Sequence, residues 1–506
     1  MNKTLIEKTK KDKIIFWLAA DLTYFGLAKF LQDKHDCDLF AIIDITQKPK
    51  KFFQEQDLVK FQKIWFYHDH ILKNHNTDLQ YLSSFEKKYN INLWSLAHNE
   101  RIFYRFNQFH KFSSEEILSI LEQECKLFEK ILDETKPDFL IMYMPTLHHN
   151  ELFYEICKSK GIKLLILRPT AFGYRYMISQ EVEKIDELDN KQSKYDRSSK
   201  ELFEFLKGND SFKQAENYLS EFQNSKFQYL KAIMKFLFTS NSNEKTHYTY
   251  YGRIKFRVFR KVLLYTLKKK YREYFMKKHL LHQVNDKISF VYFPLHIEQE
   301  QILLIRSPFY TNQIEVIRHI AKSLPMGYKL CVKEHPMMGI RGWRSISDYK
   351  EIMNIPNTEL IHPSLKSEDI LKKCSLVITI NGTSSLEAAF YQKPSITFAN
   401  SDFSHLPSIG QIKDLNDLPH IIRKYLQEKV SLQSLNEYVD LVDENSFEFD
   451  LGGLSNKMLN HFYFGGFLVD NEISSQSMTL FLEKNITFFN TLVDEFIKKI
   501  IHYKNQ

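Results

Sequence analysis

Short apolar runs and longer stretches with a helical period alternate along this chain, and their order predicts most of its architecture. Lys13–Ala19 is a short apolar run; the loop Asp21–Gly26 follows, and Leu27–Gln32 begins a helical pattern. With Leu39–Asp44 and Ile64–Tyr67 as further strands, the succession is the opening of a doubly wound α/β domain. From Ser114 to Asp133, Ile117, Ile120, Leu121, Leu127 and Ile131 fall on one helical face, as in an amphipathic helix packed on a sheet. Asp138–Met142 and Lys163–Leu167 read as the next strands, and the helix after the first of them is expected to begin near Glu151.

A second set of the same signals starts at Lys287–Phe293. Asn312 and Glu315 make a capping-box-like helix start, Ile314, Ile317, Ala321 and Leu324 give that helix its apolar face, and Pro325 stops it. Tyr328 to Lys333 is a strand ending abruptly at Glu334-His335-Pro336. Ser367 is expected to cap a short helix, Leu376–Ile380 is a β-branched run typical of a buried parallel strand, and Leu386–Tyr391 is the next helix. Leu418 to Gln506 is mostly helical, interrupted at Gly452-Gly453 and Gly465-Gly466 and closed by one long helix over Phe481–Ile500.

At 506 residues the chain exceeds one ordinary core, so the fold class is α/β with two domains. The expected division is 1–180, a helical insertion at 181–285, a second α/β domain at 286–415 and a helical region at 416–506. Fourteen Gly and thirteen Pro are few for this length and favour long helices. The five cysteines have no CxxC spacing and read as free thiols in a reducing compartment. The apolar run at Ile14–Ala20 is too short for a cleaved leader and no stretch approaches a membrane span, so a cytoplasmic protein is expected.

Charge changes the picture in one place. Arg253 to Lys278 holds eleven Lys/Arg against one acid, Glu273, a surplus larger than the whole chain's +8. Phe256, Phe259, Leu263, Leu267, Tyr271 and Tyr274 recur there at helical spacing. Such a helix either lies on an anionic membrane surface or packs its stripe on a domain and solvates its charges. Nucleic acid is not an expected partner, because no nucleic-acid module accompanies the patch.

The candidate chemistry sits at strand ends. Asn381-Gly382-Thr383-Ser384-Ser385 joins a strand to a helix N-terminus, where backbone N–H groups, the helix dipole and hydroxyls converge on a phosphate. The His335-Pro336 loop leaves another strand of the same expected sheet, so both loops face one crevice at the strands' carboxyl ends. Lys333 and Arg341 are additional cations there. In the first domain Asp21, His148, His149, Arg168 and Arg175 are the polar strand-end residues, and the single glycine of Ala19–Gly26 disfavours a dinucleotide cofactor.

Over KEHPMMG, then SEDILKKCSLVITINGTSSLEAAFYQKPSITF, with FPLHIEQEQ and SPFYTNQ upstream, the chain resembles the bacterial capsule and surface-polysaccharide biosynthesis family. That family includes capsule Kdo transferases and is distantly similar to CDP-glycerol glycerophosphotransferases. The resemblance implies a GT-B architecture, with the donor's nucleotide and phosphates on the C-terminal domain and the acceptor on the N-terminal one. His335 matches the histidine of the family's HP loop, which contacts donor phosphate. Thr383, Ser384 and Ser385 match its small-residue turn, and Glu387 falls where relatives place a ribose-binding acid. The activity it implies is transfer from a nucleotide sugar, CMP- or UDP-linked, to a glycan or lipid-linked acceptor at the inner face of the membrane. No cofactor is expected, and without a DxD-type pair no metal; Asp21, and after it His148, are the candidate bases. A nucleotide-sugar epimerase of the same fold and a non-catalytic assembly protein are the alternatives.

Overall fold

β1 (Asp12–Ala19), β2 (Cys37–Asp44), β3 (Phe61–Phe66), β4 (Phe139–Tyr143) and β5 (Lys163–Pro169) run parallel in the order β3-β2-β1-β4-β5, with β6 (Arg175–Ser179) antiparallel beside β5. The computed structural model describes residues 11–73, 76–186, 196–208, 226–239, 241–285 and 287–505. The lysine-rich start and much of the insertion expected from Glu181 lie outside the described residues. β1 is buried along its centre, as a strand covered on both faces must be.

The second sheet is wholly parallel. β7 (Phe290–Pro294), β8 (Lys329–Lys333), β9 (Thr358–Ile361), β10 (Leu376–Thr379), β11 (Ser395–Thr397) and β12 (Ile409–Gln411) lie in the order β12-β11-β10-β7-β8-β9. Its order reverses between β7 and β10, and that of the first sheet between β1 and β4. Such switch points open crevices at the strands' carboxyl ends. Two doubly wound domains of this kind constitute a GT-B-like fold.

The C-terminal region returns to the first domain. β13 (Phe447–Glu448) pairs antiparallel with β6, and the helices Leu451–Phe462, Ser475–Lys484 and Ile486–Lys504 pack one face of the first sheet, joining Phe16, Leu18, Phe25 and Leu27 to Met458, Phe489, Leu492 and Phe496 in one core. Gly26 permits this packing, since a Cβ there would meet the Phe489 ring at 2.2 Å. The opposite face is covered by the helices Leu79–Tyr89, Ser114–Thr135 and His148–Ser159, with Tyr248 and Tyr251 from the insertion.

Four local expectations change. The single closing helix is two, broken at Asn485, whose side-chain amide donates to the Phe481 carbonyl at 2.8 Å. Gly452-Gly453 does not interrupt a helix but lies in its first turn, where Asp450 accepts from the Gly453 N–H at 2.8 Å; Gly465, at φ +68°, ends that segment. Ser367 is the first helical residue and not the cap; its hydroxyl accepts from Lys333 at 2.9 Å. The helix expected near Glu151 starts at His148, which moves both histidines out of a loop and into its first turn.

Candidate active site

The switch point of the second sheet is built around two neutral histidines. His296, just past β7, meets the Thr379 hydroxyl of β10 at 3.0 Å and lies 3.4 Å from the Asn381 N–H. Gly382 packs against it so closely that a Cβ would meet the Thr379 hydroxyl at 2.7 Å and the His296 ring at 3.1 Å. His335 caps the following 3₁₀ turn: its Nδ1 accepts from the Met337 N–H at 3.2 Å. That bond fixes the tautomer, so the proton of the neutral ring is on Nε2, a donor. Burial, with Lys333 and Arg344 nearby, holds His335 down at about 4, and burial, with His335 and Arg344, holds His296 down at about 3.

Arg344 anchors this loop from below. It is buried and pairs with Glu334 at 2.9 Å and Glu298 at 2.7 Å, while Tyr349 donates to the same Glu334 oxygen at 2.8 Å. Lys333 is also buried, which lowers its ammonium to about 8 against the opposing pull of Glu387. In the turn, Thr383 is exposed and donates to Glu387 at 3.1 Å, Ser384 begins the helix Ser384–Phe390, and Ser385 is buried with its hydroxyl on the Gly382 carbonyl at 2.8 Å. The Asn381 side chain donates to the Asn400 carbonyl at 3.1 Å. His335, Lys333, Gly382, Thr383, Ser384 and Glu387 therefore gather at one sheet end, whereas the Asn381 and Ser385 side chains shape the loop. Arg341 is exposed and electrostatically coupled to Arg101 and Glu300.

The first domain's sheet end is a closed network. His148 lies between two carboxylates, Nδ1 2.9 Å from Glu100 and Nε2 3.0 Å from Glu124. Burial disfavours its charge, but Glu124 and Glu100 outweigh burial and raise it to about 10. His149 meets Asp44 at 3.0 Å, His68 meets the other Asp44 oxygen at 3.1 Å, and Tyr67, hydrogen bonded to Glu124, is 2.9 Å from Tyr248. Burial raises the Asp44 carboxyl, yet the bonds from His149 and His68 prevail and hold it well below the usual range. With both nitrogens taken and its charge retained, His148 is not placed to accept a proton from a substrate, which counts against it as a base.

Asp21 is held differently. It is half-buried at the end of β1, accepts from the Thr23 N–H at 3.0 Å, and burial raises its carboxyl, making it more basic. Tyr24, Tyr143, Tyr176 and Tyr463 are electrostatically coupled to it. The two arginines expected beside it go elsewhere. Arg168 is buried on Asp402 of the second domain at 2.7 Å, and Arg175 pairs with Asp443 at 2.8 Å.

The domains are drawn together over this ground. Arg306 forks onto Glu151 with bonds of 3.0 and 2.7 Å and reaches Glu183 at 3.0 Å. Only a small gap remains between them, lined by Glu100, Arg101, Thr146 and His148 on one side and Leu304 and Ile305 on the other. Sequence reasoning passed over His296, Arg344, Glu298, Glu100 and Glu124. His296 carried the same strand-end signal as Asp21; Glu124 is an acid on the apolar face of the helix Ser114–Thr135.

Fold and crevice define a GT-B-like protein whose second sheet end gathers cationic and hydrogen-bond-donating groups. Residues 207–406 match the family model described as Capsule polysaccharide biosynthesis protein, a stretch that includes the His335-Pro336 loop and the Asn381–Ser385 turn. Among curated proteins none matches. Solved structures similar to the chain include Thermosulfurimonas dismutans KpsC, a beta Kdo 2,7 transferase (12% identity, 78% of this chain and 97% of that one, TM-score 0.30). UDP-GlcNAc 2-epimerase from Methanocaldococcus jannaschii is another (11%, 86% and 100%, TM-score 0.25). The Candida albicans trehalose-6-phosphate phosphatase N-terminal domain is a third (12%, 93% and 98%, TM-score 0.30). At these scores the likenesses carry nothing about chemistry.

Proposed function

We propose that the protein is a glycosyltransferase of capsule or related surface-polysaccharide synthesis, moving a sugar from a nucleotide-activated donor to a glycan or lipid-linked acceptor. The observation that carries this reading is the switch-point geometry of the second domain. There, His335 with Nε2–H free of the Met337 bond, the Gly382–Ser384 turn and Lys333 flank one crevice. A neutral imidazole donor, backbone amides and an ammonium stabilise the charge that develops on a departing phosphate without a metal. The acceptor hydroxyl attacks the anomeric carbon as the carbon–oxygen bond to phosphate breaks, the nucleotide leaves with the electron pair, and Asp21 takes the hydroxyl proton. Glu387 holds the ribose.

Acceptor delivery is assigned to the helix Lys255–His279. Its stripe does not pack on a domain: Phe256 is 73% exposed and Tyr271 66%, and in this helix only Phe275 and Met276 are buried. Phe227, Leu230 and Phe238 of the neighbouring helix Lys226–Phe238 are exposed as well, and Lys255 donates to the Leu237 carbonyl at 2.7 Å. Aromatic and basic residues exposed together suit an anionic membrane surface. Among the described residues no helix is long and apolar enough to cross a membrane. Arg272 donates to the Gly342 and Trp343 carbonyls at 2.9 and 2.7 Å, so the helix is tied to the loop that follows His335. Replacing Lys268, Lys269 and Lys270 with Glu is expected to cut sedimentation with phosphatidylglycerol vesicles at least several-fold; undiminished binding would refute membrane docking by this helix.

The reading is tested by incubating the protein with CMP- and UDP-sugars, with and without capsule oligosaccharide acceptors. Nucleotide released only when acceptor is present supports transfer. Isomerised nucleotide sugar means an epimerase, and no change with any donor means a binding protein.

A further inference from the structure

The buried network of the first domain has the composition of a metal site. Glu124, His148 and His149 each offer one ligand atom, and the three atoms lie within 4.8 Å of one another. All three side chains are buried. Each histidine has its other nitrogen on a carboxylate: His148 Nδ1 on Glu100 at 2.9 Å and His149 Nε2 on Asp44 at 3.0 Å. Outer carboxylates of this kind fix the tautomer and orientation of metal-binding histidines and raise their basicity. A hydrogen-bonded network alone leaves one feature unexplained. Glu124, 0% exposed, has a second oxygen, Oε2, with no hydrogen-bond partner, and an unsatisfied buried carboxylate oxygen is costly.

We infer that Glu124, His148 Nε2 and His149 Nδ1 bind a divalent transition-metal ion, zinc by the preference of this donor set, as a structural centre. Two imidazoles and a carboxylate suit zinc, with bond lengths of about 2.0–2.2 Å. Ligand atoms on a tetrahedral ion at that range stand roughly 3.3 Å apart. His148 Nε2 and the Glu124 oxygen are 3.0 Å apart and all three ligand atoms lie within 4.8 Å, so binding draws the His149 nitrogen and this pair onto the ion. Tyr248, whose hydroxyl is 3.4 Å from His149 Nδ1, is the nearest oxygen for the fourth position, while Tyr67 stays bonded to Glu124. Binding displaces the Nε2 proton of His148, the exchange that makes metal affinity pH-dependent. The ion also offsets a cluster holding three carboxylates, Asp44, Glu100 and Glu124. Glu100 and His148 also border the small gap between the domains. The centre joins the helices Ser114–Thr135 and His148–Ser159 to Tyr248 of the insertion, and it stands apart from the donor phosphates, whose stabilisation needs no metal.

The test uses the full chain purified without added metal. Elemental analysis is expected to find about one zinc per chain. Protein stripped with dipicolinate is expected to develop the visible absorption of four-coordinate cobalt when Co²⁺ is added, and to melt several degrees higher with Zn²⁺ than with Mg²⁺. Glu124→Gln is expected to weaken Zn²⁺ binding at least tenfold. Anomalous scattering at the zinc edge locates the ion in wild-type crystals even if that variant fails to fold. Substoichiometric metal with no cobalt spectrum and no thermal shift would overturn the inference, leaving only the imidazolium held by two carboxylates; so would zinc found at other ligands.

Discussion

The two domains repeat one device, a parallel sheet whose order reverses and whose carboxyl ends carry histidines, yet the two sheet ends have opposite electrostatics. In the second domain His296 and His335 are held neutral beside Lys333 and Arg344, and a ring N–H is left to donate. In the first, His148, His149 and His68 are each clamped to a carboxylate and closed over by Tyr67 and Tyr248. The strand ends supply the position, and the neighbours decide what can occupy it. Cations behind a neutral donor leave room for an anion, whereas the two carboxylates around His148 retain its positive charge. The same strand-end signal thus leads to a neutral ring with a free N–H at His335 and to a ring clamped between two carboxylates at His148.

The comparison can be broken most violently from the first domain. In metal-stripped protein, Glu124→Ala leaves the charged ring of His148 with one of its two carboxylates and is expected to destabilise the fold by about 3–5 kcal/mol, the usual penalty for breaking a buried pair. Denaturant unfolding measures it, and a loss under about 1 kcal/mol would mean the network is not under electrostatic load. His335→Ala is the converse. It is expected to lower kcat/KM for the donor at least tenfold, about 1.4 kcal/mol or more for a hydrogen bond to a charged group, with the melting temperature nearly unchanged. Unaltered kinetics would remove His335 from the site. Gly382→Ala tests the packing between them: the added Cβ pushes on Thr379 and His296, an overpacking cost of about 1–3 kcal/mol with weaker donor binding.

The smallest effect is in pH. The folded-state values of His335, about 4, and His296, about 3, lie below the ordinary 6.5. Between those values and 6.5 the unfolded chain binds more protons than the folded one. The contribution of these two rings to stability therefore falls as pH drops from 6.5 and is level above it. Donor binding should accordingly show no break near pH 6.5 from His335. A break there, abolished in His335→Ala, would contradict the neutral-donor assignment.

Much of the fold was legible because its signals are local. β-branched runs, the proline after His335 and the small-residue turn at Asn381–Ser385 announce strands and exits within a few residues of themselves. The residues proposed for the donor half were legible for the same reason, apart from His296 and the buried Arg344–Glu334 pair, which takes its meaning from contacts across the sheet. The first domain's network was not, since Asp44, His68, Glu100, Glu124, His148 and Tyr248 come together only through tertiary packing. One clue was present: Glu124 stands four residues after Ile120 and seven before Ile131, on the apolar stripe, where an ionised side chain needs a partner. The stripe from Phe256 to Tyr274 was plain as a pattern, but periodicity does not say whether protein or lipid covers it. The break at Asn485 was hidden for a similar reason, as apolar residues continue on both sides.

The central claim is that the second sheet end receives the donor's phosphates and the first does not. A crystal structure of the protein with a bound nucleoside diphosphate measures this directly. The account predicts phosphate oxygens within about 3 Å of His335 Nε2 and of the amides at Gly382–Ser384, hydrogen-bond range, with the His148 network unchanged. A nucleotide seated against Asp21 or in the His148–Glu124 cluster, leaving His335 untouched, would contradict it.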